Sequence, residues 1–383
     1  MKRWAAAAVL VAALAAAASA FAPAPLALPP LASLPPVPVP AHNPMDEEKI
    51  ALGRLLFFDA RLSGDASTSC ASCHVPQLGW AHSDALAPGY PGHRLWRNNP
   101  TVLNAAHHTR LMWDGSLDSL EIQARSAMQA PVEGNGKAGM VEMRLRLIPD
   151  YVARFHRVFD TTWPQLDHAW QAIAAFERTL VSDARRVPFD RHLAGDAQAL
   201  SPSARRGLAL FEGKAGCLQC HHGALASDEG FHALGVPRQP QFDANPLVQV
   251  AVRWQNAQRD VPRAVHRGLD EDLGRYYRTR DPADIGKFRT PGLRELKYTA
   301  PYMHNGAFAT LREVVDFFDA GGGDVPNKSP LLRPLGLSDQ EKGDLVAFLE
   351  SLSMERPLIV AVPPLPPLQA LDGGAACERG EAK

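Results

Sequence analysis

The stretches Cys70-Ala71-Ser72-Cys73-His74 and Cys217-Leu218-Gln219-Cys220-His221 are two copies of the pattern Cys-x-x-Cys-His. In this pattern the two thiols form thioether bonds to the vinyl groups of a haem, and the histidine ligates the iron. The alternative is a pair of zinc sites, which would need further Cys or His ligands at close spacing. No second Cys pair accompanies either copy. We therefore predict two covalently bound haems, with His74 and His221 as the proximal iron ligands.

A similar segment precedes each motif. Leu55-Leu56-Phe57-Phe58 and Leu208-Ala209-Leu210-Phe211 have the composition of a helix that ends on an aromatic residue, shortly before the Cys-x-x-Cys-His pattern. This weak internal repeat predicts two cytochrome c-like domains, 46–200 and 201–357, each with one haem. We expect a mainly α fold, because strand patterns are scarce.

Helix starts are marked by residues that can cap a first turn. We predict caps at Asp46, at Ser201 before Pro202, and at Ser338 in a capping box with Glu341. We also predict that Asp167 caps a helix with apolar residues at helical spacing, namely Trp170, Ile173, Phe176 and Leu180. Residues 236–288 are polar and contain prolines, so we expect a long loop region there.

The N-terminus has the features of a secretory signal peptide. Lys2 and Arg3 precede an apolar run that ends in Ala18-Ser19-Ala20, a sequence of small residues suited to cleavage. The alternative, a retained membrane anchor, would need about 20 apolar residues, and this run is shorter. We predict a signal peptide at 1–22, export to the periplasm, no membrane association after cleavage, and a Pro/Ala-rich linker at 23–45.

Composition excludes some classes of protein. A net charge of −1 over 383 residues gives no indication of a nucleic-acid-binding surface. Of the five cysteines, Cys377 lies outside the two motifs, in a polar C-terminal segment. We predict a disordered tail at 358–383 and assign Cys377 no role.

Beyond the two motifs, several stretches resemble the bacterial di-haem cytochrome c peroxidase family, which includes the MauG-type maturation enzymes. They cover most of residues 46–352. The matching stretches are Leu52-Gly53-Arg54-Leu55-Leu56-Phe57-Phe58-Asp59, with Arg61-Leu62-Ser63, then Arg97-Asn98-Asn99-Pro100-Thr101-Val102-Leu103-Asn104, Trp113-Asp114-Gly115, Pro131-Val132-Glu133, Ala175-Phe176-Glu177-Arg178-Thr179-Leu180-Val181 and Thr299-Ala300-Pro301-Tyr302-Met303-His304-Asn305-Gly306.

The resemblance implies that the N-terminal haem is the peroxide site. The family places a glutamine and, ten residues later, a glutamate beside that haem, and Gln123 and Glu133 have this spacing. Glu133 would then move a proton between the peroxide oxygens, and Gln123 would orient them. Trp113 matches the tryptophan that lies between the two haems. From the residues alone, Glu133 could equally be a solvated loop carboxylate, and Trp113 a core residue.

The resemblance also implies a calcium ion between the haems. A side-chain amide and two backbone carbonyls hold it in the family, and Asn98, Thr299 and Pro301 occupy the matching positions. Oxygen ligands of this kind suit a hard cation.

At the N-terminal haem the chain departs from the peroxidase pattern in one loop. In the peroxidases a histidine in the loop before Arg97 ligates the peroxidatic iron and leaves on activation. His93 is the candidate here, but its loop is three residues shorter than the pattern. The alternative is a permanently open iron, as in the MauG-type enzymes. We regard His82, His107 and His108 as weaker candidates and expect them to be surface histidines.

The C-terminal haem presents a second departure. Fourteen residues after His304 the peroxidases have a Met ligand and the MauG-type enzymes a Tyr, but this chain has Phe318, which cannot bind iron. The sixth ligand then comes from elsewhere, with His304 and Met303 as candidates, or the site is empty. A third difference is Ser126-Ala127, which replaces the family's usual Gly-Pro in the distal pocket.

Three functions fit these residues. The first is an oxidoreductase that reduces hydrogen peroxide with electrons from a small periplasmic donor, either a c-type cytochrome or a cupredoxin. The second is a MauG-like enzyme that uses peroxide to oxidise residues of a partner protein. The third is a non-catalytic di-haem electron carrier, and the pair Gln123 and Glu133 argues against it.

Overall fold

The computed structural model describes residues 28–244, 262–263 and 271–368, most of which lie in helices, short turns and loops. The signal-peptide prediction for residues 1–22 and Cys377 fall outside these ranges. All the elements described below lie in one unit, Leu31–Lys383. The α-helices are α1 Glu47–Phe58, α2 Cys70–Cys73, α3 Leu120–Gln129, α4 Ala138–Arg146, α5 Pro149–Phe159, α6 Leu166–Glu177, α7 Pro188–Leu193, α8 Pro202–Glu212, α9 Tyr276–Thr279, α10 Leu311–Asp319 and α11 Asp339–Ser351.

Two short strands, β1 Phe231–Ala233 and β2 Lys287–Arg289, form an antiparallel pair in which Phe231 lies opposite Arg289. Single turns of 3₁₀ helix connect many of the elements. The predicted mainly α fold is confirmed. The 3₁₀ turns are Ala60–Leu62, Pro76–Leu78, Ala105–His107, Ala184–Arg186, Cys217–Gln219, Pro240–Phe242, Pro282–Asp284 and Leu296–Tyr298.

Three of the predicted helix starts are confirmed. The Asp46 side chain accepts a hydrogen bond from the Lys49 N–H at the start of α1. Ser201 caps α8 ahead of Pro202, and Ser338 caps α11 in the predicted capping box. Side-chain oxygens at these positions satisfy backbone donors that have no partner within the helix.

The predicted cap at Asp167 is wrong. Helix α6 begins one residue earlier, at Leu166, so Asp167 lies in its first turn. A carboxylate there still interacts favourably with the helix dipole, which is why the sequence signal resembles a cap. A capping box between Thr310 and Glu313 at the start of α10 was not predicted.

Two helix pairs repeat the same crossing. A Cβ added at Gly53 of α1 would lie 1.8 Å from the Ala172 carbonyl oxygen of α6. A Cβ added at Gly207 of α8 would lie 1.9 Å from the Asp344 carbonyl oxygen of α11. Only glycine allows backbones to approach this closely. The pair α1 with α6 therefore corresponds to the pair α8 with α11, which gives the weak sequence repeat a structural basis.

Aromatic contacts confirm that the two pairs correspond. The Phe57 ring meets Phe176 edge to face with centroids 5.4 Å apart, and Phe211 meets Phe348 in the same way at 5.1 Å. In each pair the first phenylalanine follows the glycine of its helix by four residues. The second phenylalanine follows the residue with the contacted carbonyl by four residues. Positions of the two domains can therefore be matched residue by residue in these helices.

The apolar core has two main clusters, one for each pair of helices. The first runs from Leu52 to Leu180, and the second from Val187 to Met354 with Leu31 added. Phe189 contacts Phe348 with ring centroids 5.7 Å apart. The segment from 187 to 200 thus packs with the second cluster, although it precedes the predicted domain boundary at residue 201.

Segments at both ends of the described chain lie against the domains. Ser33, within the predicted linker, donates a hydrogen bond to Asp190, and Arg294 donates to the Ala32 carbonyl. The Trp80 indole donates to the Leu358 carbonyl at 2.7 Å, at the start of the segment predicted to be a disordered tail. Further along this segment the carbonyls of Ala361 and Pro366 accept hydrogen bonds from Arg54 and Arg61 of the first domain. No described helix has the length and apolarity needed to cross a membrane.

The close helix crossing at Gly207 predicts that alanine substitutions at two glycines of the same helix pair will change stability very differently. Gly207→Ala should lower the free energy of unfolding by roughly 1–3 kcal/mol, because the new methyl group overlaps the Asp344 carbonyl. Gly343→Ala is the control, since a Cβ there meets nothing within 4 Å and alanine favours helix by up to about 1 kcal/mol. Denaturant unfolding should show a lower free energy of unfolding for Gly207→Ala and an equal or higher one for Gly343→Ala. Equal destabilisation of the two variants would contradict the close contact at Gly207.

Candidate functional site

The first Cys-x-x-Cys-His motif forms α2 and the turn that follows it. Ser69 and Ser72 form a capping box that starts this short helix. The His74 Nδ1 lies 3.1 Å from the Trp80 carbonyl oxygen, and the Asn99 amide also contacts it. Burial lowers the pKa of His74 to about 4, so the imidazole is neutral at pH 7.

The second motif repeats this arrangement. The Cys217–Gln219 turn brings His221 round so that its Nδ1 lies 2.8 Å from the Ala226 carbonyl oxygen. Burial lowers the pKa of His221 as well. In both motifs Nδ1–H can donate to a backbone carbonyl, which fixes the tautomer and leaves the Nε2 lone pair for iron. This is the geometry that a proximal haem ligand requires.

The arrangement of possible metal ligands near the motifs bears on the alternative of zinc sites. Among the described residues, one group of ligand atoms lies close enough to hold a metal, namely Cys220, Asp228 and His232, within 4.8 Å of one another. Asp228 already forms a hydrogen bond with His232 at 3.1 Å. The group offers three ligands rather than the four of a structural zinc site, and among the described residues the first motif has no corresponding group. The donor set thus suits a haem thioether at Cys220 better than structural zinc.

A cavity of about 870 Å³ contains most of the predicted site residues. It is lined by both proximal histidines and is large enough for a prosthetic group. Cys70, Cys73, Glu133 and His93 are predicted residues that do not line it. Those that do are His74, Asn98, Trp113, Gln123, Cys217, Cys220, His221, Thr299, Pro301, Met303 and His304.

Trp113 and His304 occupy equivalent positions in two copies of one turn. Leu111-Met112-Trp113-Asp114-Gly115-Ser116-Leu117 is closed by a hydrogen bond from the Leu111 N–H to the Leu117 carbonyl. Tyr302-Met303-His304-Asn305-Gly306-Ala307-Phe308 is closed in the same way, from Tyr302 to Phe308. Met112 and Met303 both have positive φ, at 66° and 75°. The repeat seen in the helices thus extends to the turns beside the cavity.

The rings of these two residues meet. Trp113 and His304 are in edge-to-face contact with centroids 6.5 Å apart, and His304 stacks on Phe288 at 3.6 Å. The Trp113 indole donates to the Asn98 carbonyl at 2.8 Å, and the Asn98 N–H donates to the His304 carbonyl at 2.7 Å. Burial lowers the pKa of His304 to about 4, so its ring is neutral. A rigid aromatic cluster therefore lies along the wall of the cavity.

A buried ion cluster supports these aromatic rings. Arg97 binds Asp272 at 2.6 Å and Asp114 at 3.0 Å, and its guanidinium lies over the Phe288 ring. Burial would lower the pKa of Arg97, but the two carboxylates raise it overall. No role was predicted for Arg97. Its partners lie 17 and 175 residues away in the chain, so no local pattern links them.

His108 is likewise more enclosed than the sequence suggested. Its Nδ1 lies 2.9 Å from a Glu229 oxygen and 3.0 Å from the Arg289 guanidinium, and the residue lines the cavity. The prediction that it is a surface histidine is wrong, because its side chain is only 13% exposed. Burial lowers its pKa, although the Glu229 carboxylate acts in the opposite direction. His82 and His107 are partly buried.

The two predicted peroxide-site residues come from neighbouring segments. Gln123 lies on α3 and lines the cavity together with His74. Glu133 lies in the loop after α3. Burial raises the pKa of the Cys73 thiol to about 12, and part of this rise comes from the Glu133 carboxylate. The roles of Gln123 and Glu133 at the first haem stay a prediction.

His93 lies in a tight hairpin. The Gly89 N–H donates to the His93 carbonyl at 2.8 Å, and the Tyr90 N–H donates to the Val132 carbonyl at 2.9 Å. The hairpin is therefore held against the loop that carries Glu133. His93 as an iron ligand stays a prediction.

The comparisons with known proteins give one consistent result. Residues 47–198 match the sequence family described as di-haem cytochrome c peroxidase. Cytochrome-c peroxidase IdrP1 of Denitromonas iodatirespirans is 56% identical over 338 residues, which cover 88% of this chain and 90% of that protein. The chain belongs to the di-haem cytochrome c peroxidase family. It is an oxidoreductase of the cytochrome-c peroxidase type and carries two haems.

More distant members of the family match across a similar length. The methylamine utilization protein MauG of Methylorubrum extorquens is 39% identical, over 86% of this chain and 85% of that protein. The crystal structure of a MauG-like protein associated with microbial copper homeostasis superposes with a TM-score of 0.71. It is 32% identical and covers 84% of this chain and 94% of its own. The two-domain cytochrome c fold is thus shared with solved structures.

The three residues predicted to hold calcium, Asn98, Thr299 and Pro301, all line the same cavity. The Asn98 amide nitrogen donates to the Ala85 carbonyl at 3.2 Å, which turns its Oδ1 away from that contact. An amide oxygen is a type of ligand that suits a hard cation.

Two matched helices of this family member differ between its domains. Because the two closed turns correspond, α3 and α10 also correspond, with N-caps at Ser119 and Thr310. Gln123 of α3 then matches Val314 of α10, and Ala127 matches Phe318. Gln123, Val314 and Phe318 line the cavity. The first domain thus has a polar amide at the position where the second has an apolar valine.

Proposed function

We propose that this protein reduces hydrogen peroxide to water at its N-terminal haem, with electrons that enter through the C-terminal haem. The overall reaction consumes one H₂O₂, two electrons and two protons and yields two molecules of water. The observation that carries the proposal is the difference between matched helices, Gln123 in one domain and Val314 in the other. Peroxide needs polar groups beside the iron, whereas an electron-transfer haem does not.

Glu133 and Gln123 are the proposed catalytic residues. The bound haem supplies an iron to which peroxide binds and which accepts and donates electrons. Gln123 would hold the peroxide oxygens by hydrogen bonds from its amide. Glu133 would take a proton from the inner oxygen and give it to the outer one, so that the outer oxygen leaves as water. The electrostatic effect of the Glu133 carboxylate on the Cys73 thiol supports this assignment.

The aromatic cluster is the proposed electron route. The Trp113 indole is held by its hydrogen bond to the Asn98 carbonyl, and its ring is in edge-to-face contact with His304. We assign His304 to this route rather than to the iron of the C-terminal haem, because its ring is stacked on Phe288. A calcium ion held by Asn98, Thr299 and Pro301 would stiffen the same wall. Removal of calcium would then slow electron transfer between the haems.

The electron donor would be a small redox protein of the periplasm, a c-type cytochrome or a cupredoxin. Covalent haem is attached outside the cytoplasm, and residues 1–22 have the composition of an export signal. The names of several relatives, such as cytochrome c551 peroxidase of Pseudomonas aeruginosa at 31% identity, support a cytochrome donor.

A second candidate function rests on Phe318. Without a Met at this position the C-terminal haem lacks the usual high-potential ligand, and the short hairpin at His93 allows a permanently open N-terminal iron. Both features argue against an ordinary peroxidase, and the open iron favours a MauG-like enzyme that draws its electrons from residues of a partner protein.

A donor-oxidation assay separates the two functions. The holoprotein is mixed with peroxide and either a reduced c-type cytochrome or a reduced cupredoxin, and donor oxidation is followed by absorbance. We expect two one-electron donors to be oxidised per peroxide consumed. Gln123→Val, which copies Val314 into the first domain, should slow this reaction strongly. Peroxide consumption without oxidation of either donor would contradict the proposal and favour the MauG-like alternative.

A further inference from the structure

Each of the two closed turns is held by a segment of the other domain. The Arg289 N–H of β2 donates to the Trp113 carbonyl at 2.8 Å, and the Asn98 N–H donates to the His304 carbonyl at 2.7 Å. Asn98 and Arg289 both precede a proline by two positions. The match between the two turns therefore extends to these segments, and Arg289 is the counterpart of Asn98.

The matched positions carry different chemistry. Asn98, Thr299 and Pro301 are the residues predicted to hold calcium. In the other copy of the repeat Arg289 matches Asn98, and His108 matches Thr299. Both residues line the cavity, and the Arg289 guanidinium lies 3.0 Å from the His108 Nδ1. Where one copy has a predicted calcium ligand, the other thus has a cationic side chain.

The Arg289 guanidinium is enclosed and has an acid nearby. Its side chain is only 8% exposed, and the Glu229 carboxylate lies 3.8 Å away. Burial would raise the pKa of Glu229, but hydrogen bonds from His108 and Thr109 lower it to about 2, so this group is ionised. Burial lowers the pKa of Arg289, and the Glu229 carboxylate acts in the opposite direction. A buried cation is costly without such a partner, so Glu229 holds the guanidinium in this position.

Arg289 contacts the Trp113 turn through its side chain as well as its backbone. The Arg289 Nε donates to the Met112 carbonyl at 3.4 Å. Met112 has a φ of 66°, which a residue other than glycine uncommonly adopts, so contacts from outside the turn help to maintain it. A Cβ added at Gly115 of the same turn would lie 2.4 Å from the Phe231 ring of β1. The turn that carries Trp113 is therefore docked against the strand pair of the second domain.

We propose that Arg289 is a positioning residue for electron transfer between the haems, and that its guanidinium holds the Trp113 turn as calcium would hold the matched segment. This inference rests on the electron route through Trp113 in the proposed function. The guanidinium contacts the Met112 carbonyl and His108, so that the Trp113 ring stays in contact with His304. Because arginine is part of the chain, this half of the support does not depend on a bound ion.

Arg289→Gln tests the proposal, because it removes the guanidinium and leaves the backbone N–H that bonds to Trp113. Hydrogen–deuterium exchange of the resting holoprotein should then be faster in residues 111–117. For the second readout, the holoprotein with only its C-terminal haem reduced is mixed with excess peroxide, and reoxidation of that haem is followed by absorbance. At high peroxide concentration electron transfer limits this rate, and the variant should be slower severalfold.

Lys287→Gln is the matched control. It removes a cation from the same strand, where Lys287 pairs with Asp284 at 3.2 Å. We expect it to change neither the exchange in residues 111–117 nor the rate of reoxidation. If Arg289→Gln does not incorporate both haems, Glu229→Gln takes its place, because it leaves the guanidinium without its counter-charge. It should change both readouts in the same direction, and unchanged values would overturn the proposal.

The two readouts separate failure of this inference from failure of the proposed function. Unchanged exchange and an unchanged rate in Arg289→Gln would overturn the role of Arg289 and leave the electron route intact. Faster exchange with an unchanged rate would overturn that role and also contradict a route through Trp113. Absence of reoxidation in the unmodified protein would contradict the proposed function itself, and this inference with it.

Discussion

Glu133→Gln is expected to lower the rate of peroxide turnover by about 10²–10⁴-fold, the usual contribution of a positioned acid or base. Glutamine preserves the shape of the side chain and its hydrogen bonding but cannot accept a proton. The inner peroxide oxygen would then keep its proton, and the outer oxygen would leave as a poor leaving group. Stopped-flow oxidation of a reduced c-type cytochrome measures this rate directly.

Asp118→Asn is a suitable control for this variant. Asp118 is an exposed acid immediately before α3, so its substitution removes the same charge near the same helix. We expect turnover close to that of the unmodified protein, with both haems attached in each variant. If Glu133→Gln also retains full turnover, the loop carboxylate is only a solvated group, and the proton shuttle must be sought elsewhere in the cavity.

The sequence was most informative where chemistry is encoded over a few residues. Each Cys-x-x-Cys-His motif specifies attachment and ligation within five positions, and the structure adds only the carbonyl partners of His74 and His221. Helix caps at Asp46 and Ser338 are likewise local, because a cap and its acceptor lie within one turn. These predictions depend on short-range geometry that the sequence contains directly.

The sequence was uninformative where function depends on distant partners. His108 was predicted to lie at the surface, but its partners Glu229 and Arg289 are 121 and 181 residues away. Glu177 lies within a stretch that matches the family, but no role was predicted for it. Its neighbour Arg178 is the nearest opposite charge in the sequence, but adjacent helix residues do not face each other, and the Arg178 guanidinium pairs with Glu121. Only the folded chain shows which acid is left without a partner.

The internal repeat turns these observations into a comparison within one molecule. The two domains share the glycine crossing, the phenylalanine pair, the closed turn and the carbonyl bond to the proximal histidine. Few differences at matched cavity positions separate the two domains. Gln123 and Glu177 at the first haem correspond to Val314 and Leu349 at the second, and all four line the cavity. At these two matched positions the first domain is thus polar and the second apolar.

Phe318→Met is the second substitution with a large expected effect, now at the C-terminal haem. Phe318 lies on α10 and lines the cavity, at the position from which other family members supply a sixth ligand. A thioether there would bind the iron opposite His221, convert that haem to a low-spin state and raise its potential. The rise should be on the order of 0.1 V, within the ~0.8 V range that axial ligands span.

Phe317→Met provides a control at the neighbouring position. Phe317 packs against Phe308 with ring centroids 5.2 Å apart and does not line the cavity among the described residues, so its substitution should leave the haem spectrum unchanged. EPR spectra and potentiometric titrations of both variants decide the point. A new low-spin signal only in Phe318→Met means that α10 faces the iron with an apolar side chain. If neither variant differs from the unmodified protein, the sixth position of that haem is covered by another segment, and Phe318 only fills space beside it.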